Sequence, residues 1–225
     1  MLNLIGVLCW FDERPSWLAG VIGGLHMAGC SHVVAVDGAY SLYPGGRSYS
    51  NREQSGVIME ACQALQMGCT IHAPREPFIG NEVEKRTLSL RLAETVAVPF
   101  EDWYLVVDAD HFITSAIGHH HVLEHTDADV AEVRFLEPYG AVPSGGCPLR
   151  CVFRAIPGLA YRGNHYTPVT PDGRDLHSPY EPAVDLSCLE IEHRTMDRDR
   201  YRSGLQKDYY RRRDMVGAES HPVTA

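Results

Sequence analysis

The chain has 225 residues, 44% of them hydrophobic and 22% charged, with a formal net charge of −9. That length and balance predict a soluble chain with one large domain, and the negative charge disfavours non-specific attraction to nucleic acid or anionic membranes. No stretch approaches the roughly 18 consecutive apolar residues that cross a bilayer and no basic segment precedes an apolar run, so neither a transmembrane segment nor a secretory signal is expected.

Residues 4–11 (LIGVLCWF) form a short apolar run and predict a buried strand. Residues 12–15 read as a polar loop. Ser16 is a cap candidate for a helix carrying Trp17, Leu18, Val21, Ile22, Leu25 and Met27, which Gly29 would stop. Residues 31–36 predict a second buried strand, ending at Asp37-Gly38. Residues 39–52, rich in Gly, Ser, Pro and Tyr, read as a loop. A helix over 54–67, a third strand over 69–73 and an amphipathic helix over 82–98 follow. A fourth strand, 103–107 (WYLVV), runs directly into Asp108-Ala109-Asp110.

This alternation predicts an α/β fold with a mostly parallel central sheet flanked by helices. Ligands bind beyond the carboxyl ends of such strands. Asp12, Asp37 and Asp108 all fall at those ends.

The run His119-His120-His121 predicts a surface loop or a helix start, because adjacent side chains do not converge on one ion. Residues 130–136, 149–153 and 186–193 predict strands, with a Gly/Pro loop over 139–148 and a loop-rich stretch over 161–178. Residues 198–213 predict a basic, Tyr-bearing helix. The chain is thus read as a single domain of two halves, 1–114 and a smaller mixed region, 115–225. The seven cysteines are scattered and form no C-x-x-C pair, which argues against structural zinc and for a reducing, cytoplasmic compartment.

The chemistry rests on Asp108 and Asp110. Side chains alternate along a strand, so residues two apart share a side. Two carboxylates so placed suit a hard cation, Mg²⁺ or Mn²⁺. Such an ion bridges phosphate oxygens and offsets the charge on a departing nucleoside diphosphate.

The segments VLCWFDE, VAVDGAYS, EKRTLSLRLA and WYLVVDADHF, in that order and spacing, resemble the GT-A-type nucleotide-sugar glycosyltransferases, similar to the large family-2 group. CVFRAIPGLAYRGNHY and IEHRTMDRDRYRSGLQKDYY extend the resemblance into the second half. It implies a GT-A (Rossmann-like) fold, with residues 1–114 binding the nucleotide-sugar and residues 115–225 facing the acceptor. It implies transfer of a hexose from a UDP- or GDP-sugar, with Mn or Mg, by inversion.

The resemblance also implies roles. Trp10, Phe11 and Asp12 would line the base pocket, and Asp37 would bind base or ribose. Lys85 and Arg86 would lie near the nucleotide or diphosphate. Apart from the resemblance, the terminal basic helix reads as solvated, with Lys207 and Tyr210 able to reach the diphosphate. Asp108 would meet the ribose or a metal-bound water. Asp110 would bind the metal directly and His193 would complete its site.

Similar enzymes carry a His-Glu pair after the R-G segment, where this chain has His165-Tyr166. The general base is therefore open among Glu137, Asp172, Asp185 and Glu181. Without a base in reach, a retaining route becomes plausible, with the leaving phosphate taking the proton. Loop 163–179 is expected to serve the acceptor, whether sugar, small molecule, protein or modified nucleotide. The sequence sets no oligomeric state. Two other classes remain: a Mg-dependent nucleotidyltransferase, disfavoured because residues 11–15 hold no phosphate-cradling glycine, and a non-catalytic nucleotide-sugar-binding protein.

Overall fold

The computed structural model describes residues 2–38, 52–76, 78, 82–137, 146–163 and 167–194. The predicted helix over 198–213 lies outside them, as do Lys207, Tyr210 and the pair His165-Tyr166.

The four apolar runs of the first half are strands β1 (Leu4–Cys9), β2 (Cys30–Val36), β3 (Gly68–His72) and β4 (Trp103–Asp108). They pair in parallel, with β1 between β2 and β4 and β3 outside β2. Every residue of β1 is buried. Between them run helices α1 (Pro15–Met27), α2 (Arg52–Ala64) and α3 (Val83–Glu94).

Helix α1 starts at Pro15 rather than after a Ser16 cap. Arg14 is the extended cap residue, and a proline is well placed in the first turn, where its missing N–H has no helical partner to lose. Gly29 does end α1, at φ +71. A Cβ there would lie 2.5 Å from His120 Nε2, so a side chain would also have to displace that ring. Helices α2 and α3 stop three and four residues short of the predicted bounds. Gln66 turns to φ +57 after α2, and i→i−3 bonds at Thr95 and Val96 tighten the last turn of α3.

The remaining elements are β5 (His111–Ala116), α4 (His119–Glu124), β6 (Val130–Leu136), β7 (Cys147–Arg154), β8 (Ala160–Arg162), β9 (Thr167–Val169) and β10 (Ala183–His193). Eight strands make one sheet in the order β3-β2-β1-β4-β7-β6-β10-β5, and β8 with β9 makes a small hairpin. Of the seven pairings in the large sheet, β4–β7, β6–β7 and β5–β10 are antiparallel and the other four parallel. The sheet is therefore mostly parallel, as its first half predicts, with strands of both halves hydrogen-bonded to one another.

Alternation sorts the strand side chains onto two faces. Leu4, Leu8, Trp103, Leu105, Val107, Val33 and Ala35 pack with α1 and α2 residues on one face. Ile5, Val7, Val34, Tyr104 and Val106 pack with α3 and the hairpin on the other. Burying each of the Val, Leu and Ile side chains among them contributes about 1.5–3 kcal/mol. Both faces of the parallel strands are covered, which is why those strands read as continuous apolar runs.

Candidate active site

Strand register builds the site. Cys9 pairs with Val36 on one side and with Asp108 on the other. The residues that follow, Trp10, Asp37 and Ala109, therefore emerge on one rim of the sheet. Two residues turn the chain from β4 into β5. Antiparallel pairing of β5 with β10 then sets His193 opposite His111, and the Arg194 N–H donates to the Asp110 carbonyl at 3.0 Å. The end of β10 is thus stitched to the aspartate motif.

Asp110 is almost fully buried. Its Oδ2 lies 3.0 Å from His193 Nε2, and His193 Nδ1 lies 2.8 Å from Glu137 Oε1. The imidazole is held between two carboxylates. Burial alone would lower its pKa, but hydrogen bonds and charge from Asp110 and Glu137 raise it above its ordinary 6.5.

His111 joins this group. Ligand atoms of Asp110, His111 and His193 all lie within 4.8 Å of one another. The rings of His111, His193 and Phe135 stack in a triangle with centroids 5.2–5.3 Å apart. Burial lowers the His111 pKa, against the pull of Asp108 and Asp110, and keeps the ring neutral. Its Nδ1 accepts a long bond, 3.3 Å, from the Asp108 N–H. That bond places the ring proton on Nε2 and makes His111 the least ready ligand of the three.

One carboxylate and two imidazoles form a donor set suited to a divalent ion such as Mn²⁺. The 3.0 Å between Asp110 Oδ2 and His193 Nε2 also matches the edge of an octahedron with bonds of about 2.1 Å. The residues present fit a cation.

Asp108 has a different partner. The Arg86 Nη2 lies 2.9 Å from its carboxylate, and Arg86 Nε lies 3.0 Å from Glu82. Burial would raise the Asp108 pKa, but Arg86 and then His111 reverse this and hold it below the ordinary carboxylate range. Arg86 thus places a guanidinium at the rim, paired with Asp108.

Other nominated residues stand differently from expectation. Trp10 turns its ring into the core, where it is 2% exposed, and donates from Nε1 to Gln54 at 3.2 Å. It supports the rim from beneath rather than lining a base pocket. Lys85 is 1% exposed, too enclosed to reach a phosphate. Its ammonium donates to the carbonyls of Trp10 and Gly38 and ties the ends of β1 and β2 together. Asp37 is fully buried and accepts from the Gly38 N–H at 2.7 Å. Gly38 itself takes φ +131, and a Cβ there would lie 2.8 Å from Phe78. Asp12 is exposed and left-handed at φ +52, and Phe11 is partly exposed.

Among the base candidates, Glu137 alone reaches the group, through His193. Asp172 and Glu181 bind Arg174, which also binds Asp129 immediately before β6. That places both at the opposite end of the sheet. Asp185 pairs with Glu132, whereas Glu192 pairs with Leu136, a strand separation of roughly 13 Å. Asp185 instead lines a cavity of about 420 Å³ with Glu132, Arg134 and Cys147. The missed residue is His111. Its only sequence signal was adjacency to Asp110, which gains meaning once β5 is known to pair with β10.

The His119 run does open a helix, α4, but His119 is buried rather than on the surface. Its Nε2 lies 2.8 Å from the Ala28 carbonyl, and His120 Nε2 lies 3.3 Å from the same oxygen.

The large, mostly parallel sheet flanked by helices is consistent with a GT-A glycosyltransferase-like fold. The chain is similar to the crystal structure of TarS from S. aureus, a GT-A-type glycosyltransferase, with a TM-score of 0.56 and 11% identity over 97% of this chain and 39% of that one. It is similar to TarS 1-349 in complex with UDP-GlcNAc, with a TM-score of 0.52 and 12% identity over 86% of this chain and 59% of that one. The chain spans less than two thirds of the length of either. No family model and no curated protein sequence matches it.

Proposed function

We propose that this chain is a metal-dependent glycosyltransferase that moves a hexose from a UDP- or GDP-sugar to an acceptor hydroxyl. The observation that carries the reading is the Asp110–His193 pair, 3.0 Å apart at the carboxyl rim of a GT-A-like sheet, beside the Asp108–Arg86 pair. The UDP-GlcNAc bound by TarS 1-349 supports a nucleotide-sugar as donor.

Asp110 and His193, with His111 nearby, would hold Mn²⁺ or Mg²⁺. The ion would supply positive charge to the diphosphate leaving group. Arg86 adds a guanidinium that can pass from Asp108 to a phosphate oxygen. Asp108, when released, accepts from a ribose hydroxyl. The Lys85 staple and the buried Asp37 fix the backbone at the ends of β1 and β2, where the base would rest. The transfer is read as inverting, with Glu137 as the nominated carboxylate standing at this rim to take the acceptor proton. All seven cysteines are free thiols, and no helix among the described residues is long and apolar enough to cross a membrane. The free thiols are what supports the proposed cytoplasmic location.

The test is a thermal-shift screen of nucleoside diphosphates with and without Mn²⁺. The expected result is a rise in Tm with UDP or GDP that requires Mn²⁺ and vanishes in Asp110→Ala. No rise with any nucleoside diphosphate would sink the reading. Mn²⁺-dependent hydrolysis of UDP- or GDP-hexoses would then identify the donor.

A further inference from the structure

A second group of metal-ligating side chains lies away from the rim, on α4. His121 and Glu124 lie on α4 at positions i and i+3, and His125, at i+4, is the residue that caps the helix. Ligand atoms of all three lie within 4.8 Å of one another, and all three residues are exposed. The two imidazole rings stand 4.3 Å apart between centroids, tilted by 51°. His119 and His120 turn the other way, toward the Ala28 carbonyl, and take no part.

One further contact bears on the chemistry. His125 Nδ1 lies 2.8 Å from the His121 carbonyl oxygen. A backbone carbonyl can only accept, so Nδ1 carries the ring proton. That fixes the tautomer and leaves Nε2 with its lone pair for a metal. A ligating histidine almost always has its second nitrogen anchored in this way. Here the anchor is present before any ion is bound.

We propose that His121, Glu124 and His125 form a Zn²⁺ site, with water at the fourth position. Two neutral imidazoles and one carboxylate are the borderline-hard set that zinc prefers in three-ligand sites. Two histidines one helical turn apart present both nitrogens to one ion. The donor types match those of the rim group, and what separates the two sites is place: the α4 group is exposed, whereas Asp110 at the rim is buried. The bound ion would close the last turn of α4, where His125 has already left helical geometry with φ −116 and ψ 16. Since α4 packs against β10, that closure braces the strand which carries His193.

The test is calorimetric titration of Zn²⁺ into the metal-free full chain at pH 7.5, in an Asp110→Ala background that disables the rim group. One saturable site is expected. His121→Ala or His125→Ala should weaken it more than about 100-fold, beyond the roughly 10–100-fold that loss of an outer partner alone costs. Glu124→Gln should weaken it less, and His120→Ala should leave it unchanged. The three positions are exposed, so the variants keep their fold, and circular dichroism checks this directly. No saturable site in the Asp110→Ala chain would overturn the proposal. So would an isotherm unaffected by both His121→Ala and His125→Ala.

Discussion

Asp108 and Asp110 stand two residues apart in one motif, yet the structure gives them different work. Asp108 is partly exposed and neutralised by Arg86, whereas Asp110 is buried and faces His193. The sequence supplied the pair, the period-two spacing and the candidacy of His193. It could not supply His111, because nothing local says that the residue after Asp110 begins a strand paired with the end of β10. Nor could it reveal that Trp10 turns inward, since an aromatic at a strand end suits a pocket and a core equally. The raised pKa of His193 leads to a prediction. The ring must be neutral to bind a cation, so protons compete with Mn²⁺. Affinity should fall about tenfold per pH unit once pH drops below the folded pKa, with a midpoint above 6.5. Glu137→Gln removes one of the carboxylates that raise it and should move the midpoint down. Mn²⁺ titrations followed by electron paramagnetic resonance from pH 5.5 to 8.5 measure both. In the metal-free chain the sign reverses. The charged ring contributes stability that is full below 6.5 and is lost as pH rises through the raised folded value.

At the scale of elements, the first half was legible because its strands are covered on both faces and so read as unbroken apolar runs. The second half was harder. β5 has one buried residue in six, and its partner β10 lies far along the chain, so no local pattern marks it. β8 and β9 have three residues each, too few for a periodicity. Helix α3 was legible as a helix, but not the use it makes of Lys85. A lysine beside an arginine on an amphipathic helix reads equally as a solvated face or as a pair reaching for a diphosphate. Here Lys85 passes under the rim, and burial lowers its pKa despite Cys9, Asp37 and Glu82. Replacing it with methionine keeps the volume and leaves the carbonyls of Trp10 and Gly38 without this donor. The expected loss is roughly 2–6 kcal/mol, at about 1–3 kcal/mol for each of the two stranded buried groups, read from urea unfolding. The proposed metal ligands come from the β4–β5 turn, β5 and β10, so Mn²⁺ affinity of the folded variant should hold. Nucleotide affinity should drop, because the ends of β1 and β2 lose their common anchor. A Lys85→Met chain with unchanged nucleotide binding would remove α3 from the site's support.

Across the whole molecule the two ends of the sheet divide the labour. The carboxyl rim holds Asp37, Asp108, Asp110, Glu137 and His193. At the opposite end, Arg154 binds Asp129 and the carbonyls of Phe100, Thr126 and Ala128, with its guanidinium 4.6 Å from the Trp103 ring. Arg174 draws Asp172 and Glu181 into the same network. Those two carboxylates therefore hold loops together rather than serve the chemistry, a distinction no spacing rule could make. Asp102 is the most enclosed acid there. It is 1% exposed and accepts from the Asn3 N–H at 2.9 Å, Asn3 Nδ2 at 3.2 Å and the Val98 N–H at 2.7 Å. Asp102→Ala strands donors on two separate segments and should destabilise the fold by roughly 3 kcal/mol. The β4 strand, about 20 Å long at six residues, separates Asp102 from the cation group. Mn²⁺ affinity of the folded variant should therefore stay within about twofold of the parent. Urea unfolding and Mn²⁺ titration on one preparation give both numbers. A loss of affinity in step with the loss of stability would mean that the rim is held in shape by the far end of the sheet, and the division of labour would fail.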